Sequence, residues 1–172
     1  GGAVGGVGWR ARGGGAKAVR KGGRARHRAA RTGEASTRVP ELRVLYCEDL
    51  EVGLTEILKK EISSSDVVGF AEITGDRNPI HLSEHFAART PFGTRIAHGL
   101  YTAGLISAVL GTRLPGPGAV YISQTLNFRA PVRIGDTVEV IVEVAELIPE
   151  RRRARLSCTC KVGDEVVLDG EA

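Results

Sequence analysis

Apolar residues change their rhythm once along this chain. Past residue 137 they fall at every second position: Val138, Val140, Val142 and Val144 alternate with Glu139, Ile141 and Glu143. After Pro149-Glu150 a second run sets Ala154, Leu156, Cys158, Cys160 and Val162 between Arg153, Arg155, Ser157, Thr159 and Lys161. Gly163-Asp164 then turns the chain into a last strand from Glu165. Side chains on a strand point alternately to its two faces, so these runs predict antiparallel strands buried on one side only. Val120 to Phe128 reads as a further strand ahead of them. Ala130 to Asp136 is a break in which Pro131 marks an edge or a bulge.

Upstream the spacing is helical. Leu42 to Leu54 leads in, Thr55 to Ile62 is a first strand, and Ser63 to Asp66 has the residue types that cap a helix start. Val67, Phe70, Ala71 and Ile73 fall largely on one face of a short helix ending near Thr74. Another short helix is expected over Ser83 to Ala88, then a loop from Thr90 to Arg95. The long helix is His98 to Arg113. From Leu100 to Leu110 it is apolar almost all round, the pattern of a helix buried in the core. Leu114-Pro115-Gly116-Pro117-Gly118 stops it. One buried helix followed by a meander of strands makes an α+β domain.

Candidate chemistry gathers between the helices. Gly75-Asp76-Arg77-Asn78-Pro79-Ile80-His81 sets a carboxylate and an imidazole five residues apart on a connector. Gly and Asn favour unusual backbone angles, and Pro79 turns Asn78 away from the helical region. Asp76 reads two ways, as an acid/base group or as a turn-former that binds backbone N–H groups. His81 likewise reads as catalytic or as a half-buried structural histidine. His81-x3-His85 has the spacing of two metal ligands on one helical face. Pro79 puts His81 at a helix edge and no third ligand follows, so no metal is assigned and His85 is expected to face solvent. His98, just ahead of the long helix, reads as a residue that orients the loop. The helix start near Gly99 offers unpaired backbone N–H groups and the positive end of a dipole. An acid/base pair beside such a helix end has the parts needed for chemistry next to a carbonyl.

Phe70, Ile73-Thr74-Gly75-Asp76, Asn78-Pro79-Ile80-His81 and Ala87 together resemble the signature of the MaoC-like (R)-specific enoyl-CoA hydratases. A looser likeness runs from about Val44 to the end of the chain. The resemblance implies a hot-dog fold, an antiparallel sheet wrapped around one long central helix. It implies a hydro-lyase that reversibly hydrates trans-2-enoyl-CoA to (R)-3-hydroxyacyl-CoA, in fatty-acid metabolism or in supplying hydroxyalkanoate monomers. Asp76 and His81 are then the catalytic pair and the Gly99 N–H the oxyanion donor. Ser107 lines the site in support of the acidic residue, and Asn78 belongs to the substrate-binding motif. No cofactor is called for. A dehydratase acting on acyl carrier protein, and a non-catalytic module that binds acyl thioesters, are the alternatives. A homodimer is implied as well, because Ala154 to Val162 and its neighbours present an open sheet edge of the kind such proteins close across a two-fold axis.

Charge separates the chain into two parts. Residues 1–40 hold ten Lys/Arg and a single acid, Glu34, so they carry +9 of a chain whose net charge is +4; the remainder is therefore −5. The basic balance belongs to this stretch, which also has eleven of the 23 Gly, and not to residues 41–172; binding of nucleic acid by the domain is unsupported. Low apolar content predicts that residues 1–40 are disordered. The chain contains no Met, which favours a translated upstream stretch over an organelle-targeting segment. The location expected is cytoplasmic, or mitochondrial should that stretch prove a targeting segment. The last strand stops at Ala172, where relatives run on. No apolar run approaches the roughly 20 residues of a membrane span. Cys47, Cys158 and Cys160 are read as small apolar residues, the last two on one strand face.

Overall fold

The structure, a computed structural model, describes residues 7–8 and 44–172. Six strands are present: β1 (Val7–Gly8), β2 (Thr55–Glu61), β3 (Asn127–Phe128), β4 (Thr137–Ile148), β5 (Arg153–Val162) and β6 (Glu165–Glu171). The helices are α1 (Ser64–Thr74), α2 (Pro79–Leu82), α3 (Glu84–Ala87) and α4 (Gly99–Thr112). The sheet is antiparallel with the order β2-β4-β5-β6-β3. Tight turns explain the meander: a 3-10 turn at Pro149–Arg151 joins β4 to β5, and Gly163, at φ 58°, reverses β5 into β6.

The alternation seen in the sequence becomes the core. Val138, Val140, Val142 and Val144 of β4 and Ala154, Leu156, Cys158 and Cys160 of β5 are all buried. They form one cluster with Ile106, Val109 and Leu110 of α4. Each such aliphatic side chain contributes about 1.5–3 kcal/mol of burial. Burial also pushes the Cys158 and Cys160 thiols up to about 11 and about 12, which leaves them without thiolate character at neutral pH. Helix α1 starts where its caps dictate: Ser63 Oγ accepts from the Asp66 N–H at 3.1 Å, and Asp66 Oδ2 accepts from the Ser63 N–H at 2.8 Å.

Three expectations are corrected. Helix α4 is buried on one side only. Leu100 is 61% exposed, and Gly104, Ser107, Ala108 and Gly111 lie open beside it, a stripe at helical spacing. Secondly, Val120 to Phe128 is not one continuous strand: only β3 is a regular strand there, pairing with Leu168 and Asp169 of β6, while the Thr125 N–H donates to Glu171 O at 2.9 Å and Val120 makes a single bridge. The alternation there marks faces, but Val120 (63% exposed), Tyr121 and Ile122 run along an edge with little over them. Thirdly, Ala154 to Val162 is no open sheet edge, because β5 lies between β4 and β6. Of the stretch expected to be disordered the structure describes only β1, whose Val7 and Gly8 sit opposite Ala154 and Arg153 of β5. The rest of that expectation falls outside the described residues.

Because β1 is only two residues long and β5 is flanked elsewhere by β4 and β6, its removal should cost little. A chain beginning at Glu41 is expected to keep its far-ultraviolet circular dichroism and its turnover. Losing about 1 kcal/mol of pairing should lower Tm by about 4 °C or less. A larger collapse in either measurement would show that the arm packs on the domain.

Candidate active site

The connector after α1 is built from its own side chains. Gly75 takes φ 79°, a left-handed cap, and its N–H reaches the Ala71 carbonyl at 2.9 Å. Asp76 Oδ1 accepts from the Asn78 N–H at 3.2 Å, and Asn78 Oδ1 accepts from the Ile80 N–H at 3.2 Å. Pro79 then opens α2, where its missing N–H costs nothing. The turn-forming role of Asp76 is thus in place, Oδ1 accepting within the turn, and the residue also stands on the wall of a cavity.

Helix α2 carries His81 inward. The His81 Nδ1 lies 2.9 Å from the Ile96 carbonyl oxygen, which can only accept, so Nδ1 holds the proton and Nε2 keeps a lone pair. That carbonyl is itself fixed. The Ala97 N–H donates to Val132 O at 2.7 Å and the Ile96 N–H to Ile80 O at 3.4 Å. Burial moves the His81 pKa below its ordinary value of 6.5, an effect opposed by the Ile96 hydrogen bond, reinforced by His98 and offset by Asp76.

Asp76, His81 and Gly99 line one cavity of about 470 Å³. A carboxylate oxygen and one nitrogen each of His81 and His98 lie within 4.8 Å of one another. Gly99 is the first residue of α4, so its N–H has no partner within the helix. Its identity has a steric cause: a Cβ there would stand 2.7 Å from Cε1 of Phe128. A carboxylate, an acceptor imidazole nitrogen and a helix N-terminus facing one cavity can move protons beside a carbonyl whose oxygen becomes negative.

Two residues expected at the site are placed elsewhere. Asn78 spends its side chain on capping α2, and Ser107 stands two turns along α4 on the open face; neither lines this cavity. His85 shares no helical face with His81, because Ser83, extended at φ −118°, ends α2 and caps α3. Sequence reasoning missed Phe92, Phe128 and Arg129 as wall residues. Arg129 stands in no local motif that would have marked it. Its Nε and Nη2 clasp Asp169 at 2.7 and 3.2 Å, and Asn127 joins the same carboxylate at 2.7 Å.

Residues 51–165 match the MaoC-like domain family, and the chain belongs to it. It is 96% identical over 134 residues to a 3-hydroxybutyryl-CoA dehydratase of Methylorubrum extorquens, covering 78% of this chain and 85% of that protein. An (R)-specific enoyl-CoA hydratase of Rhodospirillum rubrum is 54% identical over 127 residues, 74% of this chain and 88% of the relative. The crystal structure of an unliganded (R)-hydratase from Pseudomonas aeruginosa matches with a TM-score of 0.72 at 42% identity, covering 75% of this chain and 83% of that one. The fold is the hot-dog arrangement these relatives share.

The lowered His81 pKa has a definite sign. Below 6.5 the unfolded chain binds a proton that the folded chain resists, so this part of the stability is whole above pH 6.5 and is lost as pH falls through the folded value. Turnover should share the limb, since a protonated His81 has no lone pair to offer. The acid limb of kcat/KM against pH, which reports the free enzyme, is expected to have its midpoint below 6.5. A midpoint above 6.5 would show that His81 is not the titrating group.

Proposed function

We propose that this domain reversibly hydrates trans-2-enoyl-CoA to (R)-3-hydroxyacyl-CoA, the dehydration of a 3-hydroxyacyl-CoA being the same reaction reversed. One observation carries the reading: Asp76, His81 and the free N–H end of α4 share a single cavity in a chain of the MaoC-like family. Water adds through its oxygen to C3. One of its protons passes to the Asp76–His81 pair, and the pair returns a proton to C2. The electrons of the double bond rest meanwhile on the thioester oxygen. The Gly99 N–H stabilises that oxygen, a donor worth about 3 kcal/mol in comparable sites. The chemistry asks for no metal and no organic cofactor. Coenzyme A is the carrier named for the relatives with 96% and 54% identity.

The working unit in this reading is a homodimer. What supports it is the open side of α4 together with the exposed side chains of Val120, Tyr121 and Ile122, an apolar surface that a second copy would cover. Light scattering at assay concentration should give twice the chain mass; an active monomer would refute the arrangement.

If Asp76 and His81 act on the same water, their losses do not add. Asp76→Asn and His81→Ala should each lower kcat on crotonyl-CoA by about 10³-fold or more, and KM far less. The double variant should be barely worse than the poorer single, with folding retained because Asp76 lies on an exposed turn. Losses that multiply in full, or a single variant near the wild-type rate, would sink the shared-water mechanism.

A further inference from the structure

His98 is 2% exposed and stands immediately before Gly99. Its Nε2 lies 3.0 Å from the backbone carbonyl oxygen of Asp76, 22 residues earlier in the chain. Its ring packs on that of His81, with centroids 3.8 Å apart and planes 32° from parallel. Phe70 of α1 packs on the same ring at 4.9 Å. The His98 carbonyl accepts from the N–H groups of Tyr101 and Thr102, at 3.1 and 3.3 Å, and so ties down the first turn of α4. One residue thus touches the Asp76 turn, the His81 ring and the helix end that holds the oxyanion donor.

The proton inventory of the ring says which part matters. A carbonyl oxygen has no proton to give, so Nε2 carries the hydrogen. Among the described residues Nδ1 is buried with no hydrogen-bond partner. An unpartnered buried nitrogen is a cost to the fold, and a phenyl ring would fill the same space without it. What the imidazole supplies and a phenyl cannot is the single N–H bond to Asp76.

We propose that His98 is a positioning residue for the hydration step: its Nε2–H fixes the Asp76 turn, and its ring forms the platform that holds His81 against it. The inference rests on the hydratase reading for its kinetic consequence, but the hydrogen bond itself belongs to the resting protein. A residue of this kind alters the approach of the catalytic pair to water and leaves substrate binding nearly untouched.

Side-chain geometry supplies the discriminating variants. Glutamine places its amide nitrogen where His98 carries Nε2; asparagine places it where His98 carries the unpartnered Nδ1. His98→Phe keeps the ring and removes both nitrogens. With crotonyl-CoA, His98→Phe and His98→Asn are expected to lose about 10- to 100-fold in kcat, while KM changes by about twofold or less. His98→Gln should recover to within about fivefold of wild type. The melting temperature of His98→Phe should stay within about 4 °C of wild type or rise, because the unpartnered nitrogen is gone. In the substrate-free protein, NMR at neutral pH should show a slowly exchanging His98 Nε2–H, absent from His98→Phe.

Equal recovery by asparagine and glutamine would overturn the proposal, as would a His98→Phe protein of wild-type kcat. So would parallel loss of kcat, KM and melting temperature in all three variants, the mark of a merely structural side chain. Should His98→Phe fail to fold, the glutamine and asparagine pair still decides. Absence of the NMR signal refutes the hydrogen bond whatever the turnover. A wild-type chain that shows the signal but no hydration of crotonyl-CoA refutes the hydratase reading instead.

Discussion

His81 donates one proton to the carbonyl of Ile96, and the active half of the domain is organised by where that carbonyl is held. The strip from Ile96 to His98 is fastened on two sides, to α2 through Ile80 and to the segment before β4 through Val132. It therefore transmits the position of the sheet region to the imidazole. The hydrogen bond sets the tautomer, and the tautomer leaves Nε2 as an acceptor. Without the fastened strip, His81 would be an ordinary half-buried histidine free to hold its proton on either nitrogen.

The surroundings divide the labour between rigidity and access. His81 and His98 are buried, while Asp76 and Gly99 lie at the exposed end of the same cavity. The buried pair supplies defined geometry, and burial suppresses the charge of His81; the exposed pair meets what enters from solvent. Asp76 owes its place to local hydrogen bonds, Thr74 to Asp76, Asp76 to Asn78 and Asn78 to Ile80, and to the one long-range bond from His98 Nε2 to its carbonyl. The turn thus joins a short polar segment, through a single buried side chain, to a domain held together by a valine ladder.

Much of this was legible in the sequence, for local reasons. The faces of β4 and β5, the Ser63 cap, the Gly75 stop and the Asp76–His81 connector are each written in residues a few positions apart. The errors all concern what lies opposite a segment. Alternation from Val120 to Phe128 encodes two faces but not a neighbouring strand, so most of that run stands along an edge. Gly104, Ala108 and Gly111 count as apolar in a helical pattern, yet small residues say nothing about whether anything is laid over them. Ser107 and Asn78 were tied to the site by resemblance, and the single chain places one on an open helix face and the other in a cap. Phe128 and Arg129 reach the cavity only because β3 joins β6, a pairing across about forty residues that no local signal announces.

The contact between Gly99 and Phe128 binds two positions into a single variable for any lineage or engineer altering this chain. An added methyl at residue 99 would overlap the Phe128 ring, so the glycine is free to drift only after the ring has been trimmed or displaced. Trimming the ring first widens the wall of the cavity at the end where α4 begins. The order of substitutions therefore matters. Routes that change residue 128 before residue 99 pass through a roomier site, whereas the reverse order begins with a clash. Substrate range and tolerance at the helix start are coupled traits here, and selection on one will be recorded in the other.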